Sequence, residues 1–275
     1  MSSNSLQFDP LTPRIGAEVH GIDLTQPLSD TTFEALHDGW MRHQVLFFRD
    51  QALDIDQLKD VGHRFGELHV HPMGDLDGHP GVVRIHTDAS TKAISGQGWH
   101  TDVSCDESPP SASMLHLHTV PEVGGDTLFA SMYDAYDALS PTMAGFLDGL
   151  EACHSGRETF EAYFGRGIDS MRDKAYPEAI HPVVRTHPVT GRKALFVNWG
   201  FTTHIIGLEP DESRALLDFL YQHLAHPNFQ CRFRWRENSI ALWDNRCVQH
   251  TGTADYQHPI GRELLHLFTH HASGG

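Results

Sequence analysis

The short run Trp99-His100-Thr101-Asp102-Val103 places an imidazole and a carboxylate two residues apart. In extended backbone, residues i and i+2 project to the same side, so His100 and Asp102 can face one metal ion. Two histidines and one carboxylate, with coordination positions left open, form the facial ligand set of non-haem Fe(II) oxygenases. The missing imidazole must come from far downstream. His250 is the best candidate, because it follows the apolar run Ile240-Ala241-Leu242-Trp243 and the turn-like Asp244-Asn245-Arg246. Two such distant segments can pair across a barrel.

An isolated His-x-Asp is a weak signal. His86-Thr87-Asp88 has the same pattern but runs into Ala89-Ser90-Thr91-Lys92, so it reads as a polar loop. The chain holds 22 His against 20 Lys plus Arg, so the presence of a histidine selects nothing by itself. His116 and His118 alternate like a cupin-type pair, but no carboxylate follows at ligand spacing, and their neighbours suit a structural strand. His69-Val70-His71-Pro72 has the same alternation but reads as pocket lining rather than as ligands. His270-His271 ends a strand and reads as solvated.

Two turns add polar groups. Gly124-Gly125-Asp126-Thr127 is a tight turn feeding a strand. Pro259-Ile260-Gly261-Arg262 is another, delivering an arginine onto a strand. A buried guanidinium needs an anionic partner. That partner is either an intraprotein carboxylate or a dicarboxylate cosubstrate gripped by the bidentate fork.

These groups must be positioned by regular elements. Thr31 to His43 reads as an amphipathic helix with Phe33, Leu36, Trp40 and Met41 on one side and Ser29 or Asp30 as its cap. Asp54 to Phe65, Ser140-Pro141 to about Leu150, and Pro210 to His223 read as further helices. Val45-Leu46-Phe47-Phe48 is a short buried strand. Strands are also expected at Val82 to His86, Ser113 to His118, Thr127 to Ala130, Ala194 to Val197, Ile240 to Trp243 and Leu264 to Thr269. Phe229, Cys231, Phe233 and Trp235 alternate with Gln230, Arg232, Arg234 and Arg236, the pattern of a half-buried strand. Many short strands with a few helices between them suggest a mainly β sandwich or barrel with flanking helices.

The chain's 275 residues are ample for a buried core, and a hydrophobic share of 39% argues against disorder. A net charge of −16 excludes a nucleic-acid surface, which needs clustered Lys and Arg. No apolar run reaches the roughly 18 residues of a membrane span. The polar start Met1 to Ser5 is no signal peptide. Cys105, Cys153, Cys231 and Cys247 are scattered and spell no zinc knuckle. Reduced thiols in a cytoplasmic protein are the expectation. No repeat or linker divides residues 1–275, which read as a single domain.

These pieces occur together and in order in one family. The sequence resembles the taurine dioxygenase / 2,4-dichlorophenoxyacetate dioxygenase family of Fe(II)- and 2-oxoglutarate-dependent oxygenases. The likeness covers nearly the whole chain. It runs through Gly16-Ala17-Glu18, Gly21-Ile22-Asp23-Leu24, Arg64-Phe65-Gly66-Glu67-Leu68-His69-Val70-His71-Pro72 and Trp99-His100-Thr101-Asp102. It continues through Gly124-Gly125-Asp126-Thr127-Leu128, His181-Pro182-Val183-Val184-Arg185-Thr186-His187-Pro188, Gly200-Phe201-Thr202-Thr203 and Trp243-Asp244-Asn245-Arg246 to His250.

The resemblance implies a double-stranded β-helix (jelly roll). It implies Fe(II) held by His100, Asp102 and His250, with 2-oxoglutarate and O2 as cosubstrates. Thr127 and Arg262 would hold the distal carboxylate of 2-oxoglutarate, and Trp243 would wall the metal. His71, Met73, Gly96, Val103, Phe160, Phe201 and His266 would line the substrate pocket. In the sulfonate-using pattern a second arginine follows the first by four residues, and here His266 stands in that place. Met73 replaces an aromatic hydroxyl, and Gly96 replaces an amide. The expected substrate is therefore a small organic molecule other than taurine, larger or less polar. Asp102 argues for hydroxylation of an aliphatic C–H, with release of succinate and CO2, rather than halogenation. A homodimer or homotetramer fits the family. The alternatives are a zinc hydrolase on a similar barrel, which needs neither Thr127 nor Arg262, and a non-catalytic ligand-binding jelly roll.

Overall fold

A computed structural model describes residues 6–71, 75–76, 78–87, 96–164, 176–256 and 262–270, except for the side chains of 87, 163–164 and 262–264. Met73 and Asp88 lie outside the described residues.

The chain opens with the antiparallel pair β1 (Gln7–Pro10) and β2 (Ala17–His20). Helix α1 (Asp30–His43) starts at Ser29, whose hydroxyl accepts the Thr32 N–H at 3.1 Å. Gln44, at φ 66, turns the chain directly into β3 (Val45–Phe48). Asp54 and Gln57 form a reciprocal capping box that starts α2 (Ile55–Phe65). Next come β4 (Glu67–Leu68), β5 (Val82–Thr87), β6 (Ala112–Thr119) and β7 (Thr127–Ser131). Then follow α3 (Met132–Asp137), α4 (Pro141–Leu147), β8 (Glu151–Ser155) and α5 (Arg157–Phe164). After these lie β9 (Glu178–Pro182), β10 (Val184–Thr186), β11 (Lys193–Leu195), β12 (Thr202–Ile205) and α6 (Pro210–Leu224). The last strands are β13 (Gln230–Phe233), β14 (Ser239–Asp244), β15 (Val248–Gly252) and β16 (Arg262–His270).

Eight strands make the major sheet, in the order β1-β2-β3-β14-β6-β16-β4, with β5 also paired to β16. A minor sheet, β13-β7-β15, faces it. Alternation along the central strands splits the apolar residues between two clusters. Val45, Phe47, Leu115, Leu117, Ala241 and Trp243 point inward and meet Phe129, Phe233 and Val248 of the minor sheet. The Phe47 and Phe233 rings stack there at 4.0 Å. Leu46, Phe48, Met114, Ile240, Leu242, Leu265 and Leu267 point outward, against Leu36 and Trp40 of α1 and Leu58, Val61 and Phe65 of α2. A sheet covered on both faces explains why β3 is an unbroken apolar run. The result is a mainly β jelly roll with flanking helices.

Three elements end earlier than their sequence pattern. α4 stops at Leu147 because Asp148 is extended and Gly149 is left-handed, at φ +84. β13 stops at Phe233, where its partner β7 begins at Thr127, although Trp235 still turns inward and is buried. β11 stops at Leu195, the last residue paired with β10. The strands β1, β2, β4, β8, β9, β10, β12 and β15 and the helices α3 and α5 were not expected.

Candidate metal centre

His100 and His250 are joined through their main chains. Each amide donates to the other's carbonyl, at 3.1 Å and 2.9 Å, and their rings lie 4.2 Å apart. This bridge adds His100 to the free edge of β15, so a strand not expected from the sequence delivers the third side chain. His250 stands opposite Phe129 of β7. The His100-Thr101-Asp102 run is not a strand. Extension ends after the bridge, and Val103 takes φ 48, an unusual left-handed conformation for a β-branched residue. The Thr101 hydroxyl locks the turn by contacting the carbonyls of Asn245 at 2.9 Å and Val248 at 2.7 Å.

The ligand atoms of His100, Asp102 and His250 all lie within 4.8 Å of one another. Asp102 Oδ1 is 3.8 Å from Nε2 of each histidine. The Nδ1 of His100 is 2.8 Å from the Gly98 carbonyl, which can only accept, so Nδ1 carries the hydrogen. In the neutral ring, Nε2 then presents a bare lone pair toward a carboxylate oxygen. Burial opposes ionisation of Asp102, yet the imidazoles of His250, His266 and His100 hold its carboxyl below the usual range. Burial, and then the neighbouring His100, push His250 far down, so its ring is neutral. Lone pairs converging in a buried space fit a divalent cation with positions left open, and this donor set suits iron.

The second candidate cluster among the described residues, His187, Asp244 and Cys247, does not fit a metal. Asp244 already accepts from Arg246 Nε at 2.8 Å, Arg246 Nη2 at 2.6 Å and His187 Nε2 at 3.0 Å. His187 Nδ1 accepts from the amides of Val189 and Thr190. Burial raises the Cys247 thiol well above its ordinary value. This is a fully used structural network.

Thr127 sits two residues from Phe129 on β7, opposite Gly252, and so shares the His250 face of the minor sheet. Its hydroxyl accepts the Trp235 indole N–H at 2.9 Å. Gly124 and Gly125 are both left-handed, and a Cβ at Gly124 would lie 2.7 Å from the Asp255 carbonyl. The Gly96 carbonyl accepts the Gly252 N–H at 2.8 Å, which brings residue 96 beside the same strand end. Arg262 opens β16 in register with Thr87. Its side chain lies outside the described ones.

An apolar wall continues from the ligand cluster. Trp243 lies 4.7 Å from His250 and 5.4 Å from His266. His266 lies 4.1 Å from Phe268, Phe268 5.3 Å from His71, His71 5.8 Å from Phe160, and Phe160 6.0 Å from Phe201. Val103 is buried with Phe160, Phe201 and Phe268. Burial, helped by His266, pushes His71 down to about 4. Phe268 was not among the expected residues. The available signal was its i+2 spacing from His266 on one face of β16.

The other histidines divide as follows. His86 is exposed on β5. His116 is buried on the helix-facing side of β6, away from Asp102. His270 is not solvated as expected. It is half-buried, with Nε2 2.7 Å from Nδ1 of His69, whose own Nε2 is 3.1 Å from Asp106. All four cysteines are buried and unpaired. Among the described residues no helix is long and apolar enough to cross a membrane.

Comparison with known proteins agrees with this geometry. An alpha-ketoglutarate-dependent sulfonate dioxygenase of Saccharomyces cerevisiae is 36% identical over 278 residues, covering 95% of this chain and 66% of that protein. The chain thus spans just under two thirds of that relative's length. An alpha-ketoglutarate-dependent sulfate ester dioxygenase of Pseudomonas putida is 33% identical over 261 residues, covering 91% of this chain and 85% of that one. The crystal structure of a taurine dioxygenase from Burkholderia xenovorans superposes with a TM-score of 0.83 at 36% identity, covering 96% of this chain and 89% of that one. The model of the taurine catabolism dioxygenase TauD, TfdA family matches residues 7–268, and the chain belongs to that family.

Proposed function

We propose that this protein is an Fe(II)- and 2-oxoglutarate-dependent dioxygenase that hydroxylates an aliphatic C–H of a small organosulfur anion, with release of succinate and CO2. One observation carries the reading: the donor atoms of His100, Asp102 and His250 converge within 4.8 Å, although the third comes from a distant strand. Bound iron supplies the activation of O2, with 2-oxoglutarate as the co-reductant. The protein's part is to hold, orient and exclude water. His100, Asp102 and His250 hold the metal by three side chains. On the family pattern, Thr127 and Arg262 would hold the far carboxylate of 2-oxoglutarate.

The rings of His71, Phe160, Phe201, His266 and Phe268, with Val103, enclose the substrate's carbon body. Gly96 lies beside the end of the strand that carries His250, and the family pattern adds Met73, which is outside the described residues. The single imidazole of His266 has less pull on a sulfonate than the fixed charge and double donor fork of a guanidinium. The apolar wall therefore sets the preference, and substrates larger or more apolar than taurine are favoured.

The test is succinate formation with Fe(II), 2-oxoglutarate and O2 across taurine, longer alkyl sulfonates and alkyl sulfates. Turnover of the longer compounds above taurine is expected. Zinc-supported hydrolysis without succinate would overturn the reading.

A further inference from the structure

Asp102 is held from behind by a chain of buried polar side chains in which every hydrogen has one available direction. Trp243, Asn245 and Ser113 are each at most 2% exposed. The Trp243 indole nitrogen can only donate. The Asn245 atom 2.9 Å from it must therefore be the amide oxygen, which also faces the Asp102 backbone N–H at 3.4 Å. This settles the amide orientation, which atom positions alone leave ambiguous. The Asn245 Nδ2 then donates to Ser113 Oγ at 2.7 Å. Ser113 receives there, so its own proton goes to its other neighbour, Asp102 Oδ2, at 2.6 Å. His266 Nε2 also faces Oδ2, but at 3.5 Å, too far for a good hydrogen bond.

The two oxygens of Asp102 are thereby given different tasks. Oδ2 is occupied by a short charge-assisted bond. Oδ1 is the oxygen 3.8 Å from both imidazole Nε2 atoms. A carboxylate pinned in this way can offer one oxygen to a metal but cannot rotate to offer both. Three single donors leave three positions open, whereas a two-oxygen carboxylate would close one of them.

We propose that Ser113, aimed by Asn245 and Trp243, is a positioning residue that makes Asp102 a one-oxygen metal ligand. The proposal rests on the metal-centre reading above.

The experiment uses the full chain freed of metal, with Mn(II) binding followed by EPR and Co(II) absorption as the signature of coordination. Ser113→Ala is expected to bind Mn(II) about tenfold or more weakly, in line with other supporting partners of metal ligands. Its Co(II) spectrum should also differ from wild type. Ser113→Thr keeps the hydroxyl and is expected to retain both properties. Near-UV circular dichroism of the metal-free proteins checks that each is folded. If the alanine variant cannot be obtained folded, Trp243→Phe takes its place, because it frees the Asn245 amide to turn. A fall in Mn(II) affinity then supports the proposal, and unchanged affinity overturns it. The proposal is also overturned if Ser113→Ala matches wild type in affinity and spectrum, or if Ser113→Thr is as impaired as Ser113→Ala. A wild-type chain that fails to bind Mn(II) would bring down the metal centre itself, a result distinct from any difference among variants.

Discussion

The Trp235 indole N–H donates to the hydroxyl oxygen of Thr127 at 2.9 Å. An indole cannot accept, so the Thr127 proton must point away from it. In the proposed reading Thr127 donates to the far carboxylate of 2-oxoglutarate. Thr127→Val is expected to raise KM for 2-oxoglutarate about tenfold, the effect of one hydrogen bond to a charged group, with a smaller change in kcat. Trp235→Phe should shift the same KM by less. Steady-state kinetics with varied 2-oxoglutarate checks both, and an unchanged KM in Thr127→Val removes that residue from the cosubstrate site.

Asp102→Ala should abolish succinate formation and Mn(II) binding together. A variant with full turnover would take Asp102 out of the ligand set. Metal titration and the succinate assay on the same preparation give the answer.

Gly200 packs against His100. A Cβ there would lie 2.8 Å from Cβ of His100, and the Thr159 hydroxyl holds the Gly200 carbonyl from retreating. Gly200→Ala is expected to cost about 1–3 kcal/mol of stability and to weaken metal binding. Urea unfolding and Mn(II) titration measure the two effects separately.

The Asp244 network should govern acid stability. Burial opposes ionisation of Asp244, but Arg246 and His187 bring its pKa down to about 2. The unfolded value is about 3.9, so its contribution is complete above about pH 4 and is lost as pH falls through about 2. Asp244→Asn is expected to lose about 3–5 kcal/mol at neutral pH, because Arg246 stays buried without its partner. The same variant should show a shallower fall in stability between pH 4 and pH 2. Denaturant midpoints measured across that range check the sign.

His266→Arg should create taurine turnover, since a guanidinium can pair with a sulfonate. Phe268→Ala should raise KM for long-chain substrates more than for taurine. If both substitutions leave every KM untouched, neither residue belongs to the pocket.

How much of this was readable from the chain depends on range. α1 and α2 carry strong helical spacing and local caps, and the split of β3 between two apolar clusters follows from its four apolar letters. His100 and Asp102 lie two residues apart, so their partnership is local. His250 is different. β15 has too little apolar alternation to announce itself, and its bridge to His100 is a long-range event. The turn at Val103 is not announced by the sequence, because a valine rarely adopts positive φ. Trp243 and Asn245 lie two residues apart, but Ser113 meets them only after β6 and β14 pair, so no spacing rule could link it to them. Residue 73 and the Arg262 side chain fall outside the described parts, and their roles rest on the family pattern.

The reciprocal amide bonds between residues 100 and 250 involve no imidazole atom. Shortening either histidine to alanine therefore leaves the two backbones zipped together. What opens is a flat, ring-shaped vacancy at the metal's side, bordered by the Trp243 and Phe129 rings when the missing ring is that of residue 250. Free imidazole in the buffer has the shape and the lone pair to occupy it. Regained Mn(II) binding in His250→Ala on adding imidazole is the expected outcome, because the backbone frame of the site does not depend on the ring.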